Sequence, residues 1–312
     1  MRKRGFLGSF VSLVKVSDSA RLVEAVSQGL DLAGFRADAK ANSVVIKPNM
    51  CYYWGADTGQ TTDPRVVSAV IDVIREKLGK DVNITVGEAD ASAMRTKWAF
   101  PVLGYDRLAQ EKRVELVNLS QTPLVERKVH VGSREIAFEV PELLLKADLF
   151  VNVPKLKVMR QTKITCAMKN VFGAIGYRRK MMYHPFLDEA IVGINMVLKP
   201  HLTVVDGLVG LGAYPVKLGL LMVGVDVFSV DWIAAQIMRY KPSSVKCLKI
   251  AVRERLGDPQ GVGAVGESVE EFRNVFPKAS FGLGSLVGLQ TRLLKLYSRI
   301  AGDVVPPFLE DA

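Results

Sequence analysis

Short β-branched runs alternate along the chain with longer stretches whose apolar residues recur every three or four positions. FVSLVKV, SVVIKP, NITVGEAD, VELVNL, DLFVNVP, HLTVVDG and GLLMVGVD read as strands. SARLVEAVSQGLDLAGF, PRVVSAVIDVIREKLG, DWIAAQIMRY and SSVKCLKIAVRERLG carry helical periodicity. Ser19 is the expected cap of the first helix and Gly34 its stop, while Asp63 followed by Pro64 opens the second. RKVHVGSREIAFEV predicts an antiparallel hairpin. The alternation predicts an α/β fold, a mainly parallel β-sheet flanked by helices on both faces, with that hairpin as an insertion. Residues 1–280 are expected to form one such domain. The remainder, 281–312, containing GLGSLVGLQTRLLKLYSRIAG, predicts a C-terminal amphipathic helix and tail. Ligands of open α/β sheets sit at the carboxyl ends of the strands. The loops at 47–49, 87–90, 153–157, 206–212 and 226–231 are therefore where chemistry is expected.

One of these regions is unusual. PKLKVMRQTKITCAMKNVFGAIGYRRKMMYH, residues 154–184, contains Lys155, Lys157, Arg160, Lys163, Lys169, Arg178, Arg179 and Lys180, closes on His184, and has no acid. Crowded like charges repel, so the segment calls for an offset from distant carboxylates, solvent or an anionic ligand. TKITCAMKN has helical composition, which would put Thr162, Thr165 and Lys169 on one face, two hydroxyls beside an ammonium. With backbone N–H groups at the helix start, that face suits phosphate or carboxylate.

Composition narrows the classes. The 312 residues are 49% hydrophobic and 24% charged, the balance of a globular protein with a real core. The net charge of +10 favours anionic partners without naming one. Three separated cysteines, Cys51, Cys166 and Cys247, with no C-x-x-C pair, argue against a disulfide framework and against a self-contained iron–sulfur cluster. The basic start, MRKRGFLGSFVSLVKV, reads as a tail entering a strand, and no run reaches the ~20 uncharged apolar residues of a membrane span, so a cytoplasmic location is expected.

The acids offer a second kind of chemistry. Asp206 follows LTVV directly, Asp226 and Asp231 bracket GVDVFSVD, and such strand-end carboxylates could hold Mg²⁺ against a bound phosphate. Asp231 could equally cap a helix starting at Trp232. The glycines of DGLVGLG have the wrong spacing for a dinucleotide fingerprint and read as a flexible loop; there is no P-loop motif. His130 and His201 read as structural, which leaves His184 as the acid–base candidate. Cys166 lies among cations that would favour a thiolate, or is simply a buried small residue.

PKLKVMRQTKITCAMKNVFGAIGYRRKMMYH resembles the signature of the DUF362 family, a domain of unknown function: Pro-Lys-Leu-Lys-Thr-His, then Thr, Thr, Lys-Asn-x-Phe-Gly, then Lys and His. VVIKPNM with TTDPRVVSAVIDVIRE, VGEAD, LTVVDGLVGLG and VGVDVFSVDWIAAQIM are similar to its other blocks, from about Val44 to Leu256. The resemblance implies Lys47, Asn49, Lys155, Lys157, Thr165, Lys169, Asn170, Lys180, His184, Asp206, Asp226 and Asp231 as site positions. Val158-Met159 stands where the family has Thr-His, and the cysteine-rich ferredoxin-like domain of some relatives has no counterpart here.

Taken together, these features predict a site for a small, multiply anionic ligand, with Lys47, Lys155, Lys157, Arg160, Lys169 and Lys180 as cations and Asn49, Thr165 and Asn170 orienting. Asp206 and Asp226 would hold a divalent metal. For transfer or ligation at a phosphate or carboxylate, His184 would move the proton while Lys157 and Lys169 stabilise charge. Two rivals differ in class. In one, the cations, with Tyr177 and Tyr183 for base stacking, form a nucleic-acid or ribonucleoprotein surface. In the other, the protein is an accessory of an iron–sulfur or metal-cofactor redox pathway, with Cys51 and Cys166 together in the site.

Overall fold

The computed structural model describes residues 9–92 and 94–279. The expected C-terminal helix, 281–312, lies outside the described residues. The first half runs β1 (Ser9–Lys15), α1 (Leu22–Leu32), β2 (Ser43–Pro48), α2 (Pro64–Leu78), β3 (Asn83–Glu88), α3 (Thr96–Val102), α4 (Tyr105–Lys112) and β4 (Glu115–Asn118). The hairpin β5 (Leu124–Val131) and β6 (Arg134–Pro141) follows, then α5 (Glu142–Lys146) and β7 (Leu149–Val153). Next come β8 (Lys155–Met159), β9 (Lys163–Thr165), α6 (Ala167–Gly173) and α7 (Leu187–Val197). The described residues end on β10 (Leu202–Leu211), β11 (Pro215–Gly224), α8 (Val227–Ile237), α9 (Lys246–Arg253), β12 (Val262–Gly266) and α10 (Val269–Val275).

The main sheet has the order β12-β1-β11-β10-β7-β2-β3-β4, with β8 on β10 and β9 on β8. Its pairs are parallel except β1–β11, β10–β11 and β8–β9, so the sheet is mixed and mostly parallel. Successive side chains of a strand point to opposite faces. Here both faces are covered, and the central strands are mostly apolar, with buried Lys47, Asn152, Lys155, Lys157 and Asp206 toward their carboxyl ends. Val45, Phe150, Val205 and Met222 pack with α6, α7, α8 and the hairpin, while Val44, Ile46, Val151, Val204 and Val223 pack with α1, α2 and α4. From β2 the chain steps outward to β3 and β4, then β7 returns to the other side of β2. The opening between β2 and β7 is thus a topological switch point, where open sheets leave a crevice at their carboxyl ends.

Several local expectations change. Asp18, not Ser19, makes the first cap: its carboxylate accepts from Ala20 N–H, and residues 19–21 form a 3₁₀ turn before α1. Gly34 does end that helix, with φ +68. TKITCAMKN is not one helix. Its β-branched start pairs as β9 against β8, and only from Ala167 is it helical, so Thr162, Thr165 and Lys169 do not share a helix face. DGLVGLG is not a loop, because it continues β10 through a register shift between Gly207 and Val209. Asp231 does not cap a helix at Trp232. Asp226 caps α8, accepting from Phe228 and Ser229 N–H, and Asp231 lies inside that helix, buried.

Candidate functional site

At the switch point, segments from six places in the chain enclose a cavity of about 530 Å³. The end of β2 supplies Lys47, and the loop after it supplies Asn49 and Cys51; β3 supplies Glu88. Lys157 comes from β8, Thr165 from β9, Lys169 from α6, and Lys180 with His184 from the 3₁₀ stretch Lys180–Phe186. Met50, Met94, Met159, Met181 and Phe172 make the rest of the wall largely apolar. Four ammonium groups therefore face one lining carboxylate. A depression of about 720 Å³ elsewhere, around Asp72, Arg75, Glu76 and Lys80, is open to solvent and has acids to match its cations.

The walls are held by hydrogen bonds that the TTDP turn supplies. Thr62 Oγ1 donates to Val153 O and accepts from Asn49 N–H at 2.9 Å, and Thr61 Oγ1 accepts from Cys51 N–H. Tyr105 Oη donates to Thr62 O. On the opposite wall Asp231 accepts from Ala167 N–H at 2.6 Å and Met168 N–H at 3.1 Å, fixing the start of α6. Those helix-start groups are thus taken by a carboxylate and are not free for an anion. Burial pushes the Asp231 carboxyl up to about 7, against those two N–H groups. Asn195 Nδ2 donates to Met168 O and further pins α6.

The predicted cations separate into kinds. Lys155 is 1% exposed, does not line the cavity, and donates to Asp206 at 2.8 Å. Asp206 also accepts from Asp63 N–H and Leu208 N–H. Lys47 is fully buried and lies between both Glu88 oxygens, Pro48 O and Asn170 Oδ1. Burial lowers its pKa, with Glu88 opposing. Glu88, to which Met50 and Ala89 N–H also donate, is the functional residue sequence reasoning missed; it stands inside the quoted VGEAD run. Lys157 donates to Gln60 O and Lys180 to Gly173 O, both at 2.6 Å. Burial lowers the pKa of Lys157 and brings Lys180 down to about 7. Arg160 is exposed and outside the cavity lining.

Lys169 differs from all of these. It lines the cavity, and its ammonium has no hydrogen bond or ion pair among the described residues. Burial, with Lys157 and Lys47 nearby, brings its pKa down to about 8. Beside it Thr165 is 3% exposed and its Oγ1 has no partner; Asn49 Oδ1 has none either. Buried polar atoms without partners are rare in folded proteins and call for an explanation. His184, its pKa lowered to about 4 by burial and by Lys169, is neutral at pH 7 and can accept a proton.

Other expectations fail on geometry. Asn170 does not face the cavity: it is buried, donating to Lys47 O, Pro48 O and Asn152 Oδ1. Asp206 and Asp226 do not form a metal site, since the first is spent on Lys155 and backbone N–H groups and the second on the α8 cap and Ser229. Among the described residues no three His, Cys, Asp or Glu side chains are grouped to hold a metal ion. Cys166 is fully buried and its thiol pKa is pushed well up by burial and Asp231, so it cannot join Cys51 in the cavity. Tyr183 is buried against Phe138 and its hydroxyl donates to Ala137 O, which removes it from base stacking. No helix among the described residues is long and apolar enough to cross a membrane.

The glycine of Lys-Asn-Val-Phe-Gly has a physical reason. A Cβ on Gly173 would stand 3.2 Å from Lys47 Nζ and 3.8 Å from Glu88 Oε1, so the helix end approaches the buried pair closely and a side chain there would have to displace the Lys47 ammonium slightly.

The chain is similar to the thylakoid-associated protein sll1697 of Synechocystis, 26% identical over 233 residues that cover 69% of this chain and 68% of that protein. It is also similar to the lactate racemase apoprotein from Thermoanaerobacterium thermosaccharolyticum, at 12% identity and a TM-score of 0.47. That likeness covers 75% of this chain and spans 58% of the racemase chain. The domain of unknown function DUF362 matches residues 44–236, more than half of the sequence and every residue named above as lining the cavity, and the chain belongs to the DUF362 family.

Proposed function

We propose that the protein binds, in the cavity at the switch point, a small molecule carrying at least two negative charges and an apolar portion. The observation that carries this reading is the pair Lys169 Nζ and Thr165 Oγ1, donors on one cavity without partners among the described residues. A bound anion would give the ammonium and hydroxyl the partners they lack and would offset the repulsion among Lys47, Lys157, Lys169 and Lys180. The methionines and Phe172 suit the apolar portion, since thioethers pack around irregular shapes. If the bound molecule reacts by transfer or ligation, Lys157 and Lys169 would stabilise developing charge and neutral His184 would accept the proton.

Three of the segment's eight cations, Lys155, Lys157 and Lys180, are buried, and Lys157, Lys169 and Lys180 line one cavity, which favours a small ligand over nucleic acid. The test is calorimetric titration of the protein with inorganic phosphate, pyrophosphate and citrate, alongside native mass spectrometry of protein purified from its own host. Binding weakened at least tenfold by Lys169→Met, about 1.4 kcal/mol or more, supports the proposal. Absence of binding by every anion, with nothing retained in the native spectrum, sinks it. Lys155 should not be the residue tested, because its loss would break a buried ion pair.

A further inference from the structure

Lys169 is open to the cavity while each neighbouring lysine already has an acceptor. We infer that Lys169 is a nucleophilic amine, and that the ligand is a carbonyl-bearing acid, an aldehyde or 2-oxo acid, which it captures as an imine. This rests on the anion-binding reading and names the substrate class of that site. The geometry divides the labour. Lys157, held by Gln60 O, remains to meet the ligand's acidic group, and Lys180, held by Gly173 O, can donate a hydrogen bond to it. Thr165 Oγ1 has a free hydroxyl to donate to one of its oxygens, and Asn49 Oδ1 can accept from the proton-bearing carbinolamine hydroxyl. Lys169 has no acceptor among the described residues to hold its proton, and it lies close enough to His184 for its charge to press on that ring.

The step balances without a redox partner. The Nζ lone pair forms a bond to the carbonyl carbon as the carbonyl π pair moves to oxygen, giving a carbinolamine after proton transfer. The oxygen then leaves as water, carrying the two hydrogens of the amine, and the nitrogen lone pair closes the C=N bond. An attacking amine has to be neutral. The charged or titratable groups acting on Lys169 are Lys157 and Lys47, which press its pKa down, and Cys51 and Cys247, which oppose; burial is the largest cause, and the pKa falls to about 8. About a quarter of the amine is then neutral at pH 7.5, against about a thousandth for an ordinary lysine. His184, neutral at that pH, can relay the proton between nitrogen and oxygen.

The test uses glyoxylate, an aldehyde and carboxylate in one small molecule, with borohydride reduction of the whole protein, intact mass measurement and peptide mapping. The expected result is one dominant adduct on Lys169, of mass equal to the probe less water plus two hydrogens. Its rate should rise with pH and level off above about 8, and phosphate should slow it. Lys169→Arg, which keeps charge and length, should reduce labelling to the level of surface lysines. Labelling spread evenly over surface lysines, labelling centred on Lys180, or an Arg variant that reacts unchanged would each overturn the inference. Calorimetry with phosphate on the unreduced protein separates the two proposals. Phosphate binding without a Lys169 adduct leaves the anion site standing and the imine rejected. A Lys169 adduct that phosphate neither slows nor competes with keeps the amine and rejects the clamp.

Discussion

Lys155 and Lys169 come from one basic segment and end in opposite conditions. Lys155 is sealed beneath the site with Asp206 and serves the fold. Lys169 stands on a cavity wall with no partner among the described residues. A buried charge that is paired costs far less than one left alone. The difference teaches that a run of cations is not one binding surface: part of it is foundation and part is socket.

The sharpest way to break this contrast is Lys155→Met. It leaves Asp206 buried and uncompensated, and should cost about 3–5 kcal/mol, read as a lowered denaturant midpoint. The double variant Lys155→Met, Asp206→Leu should recover most of that loss; no recovery would mean that the pair is not the unit described. Gly173→Ala should cost less, about 1–3 kcal/mol, because the new methyl crowds Lys47 and must shift the buried Lys47–Glu88 pair. An alanine variant as stable as the parent would show that the wall yields. The smallest effect is the most specific to Lys169. The folded His184 pKa lies below its unfolded value of 6.5, so this histidine's contribution to stability is present above 6.5 and lost as pH falls toward 4. The loss should be about 1–2 kcal/mol after allowance for solvent screening, and His184→Gln should flatten it. NMR titration of the His184 ring in Lys169→Met should find its pKa moved up from about 4; an unmoved value would place the Lys169 charge elsewhere.

Much of the fold was legible because the strand runs are mostly apolar on both faces and the second helix carries its own cap and proline. The site was legible only as an inventory. The lysines of 154–184 are visible as residues, yet nothing local says that Lys155 meets Asp206, 51 positions away, or that Lys47 meets Glu88, 41 away. Asn170 reads as a polar site residue although its amide is consumed by β2 and β7. TKITCAMKN misled because β9 is three residues long and exists only through its pairing with β8. Glu88 was hidden in plain view, since a lone acid at a strand end has no spacing signal until its partner is placed.

The hold of Asp231 on the start of α6 has a consequence in time. A ribosome delivers β2, β3 and the basic segment before the helix that carries Asp231, 64 residues after Ala167. Lys155 likewise waits 51 residues for Asp206. Until those carboxylates emerge, a nascent chain displays its cluster of ammonium groups uncompensated and its cavity wall unanchored. The pocket is therefore assembled late in synthesis, as the closing act of a domain whose apolar sheet has begun to form.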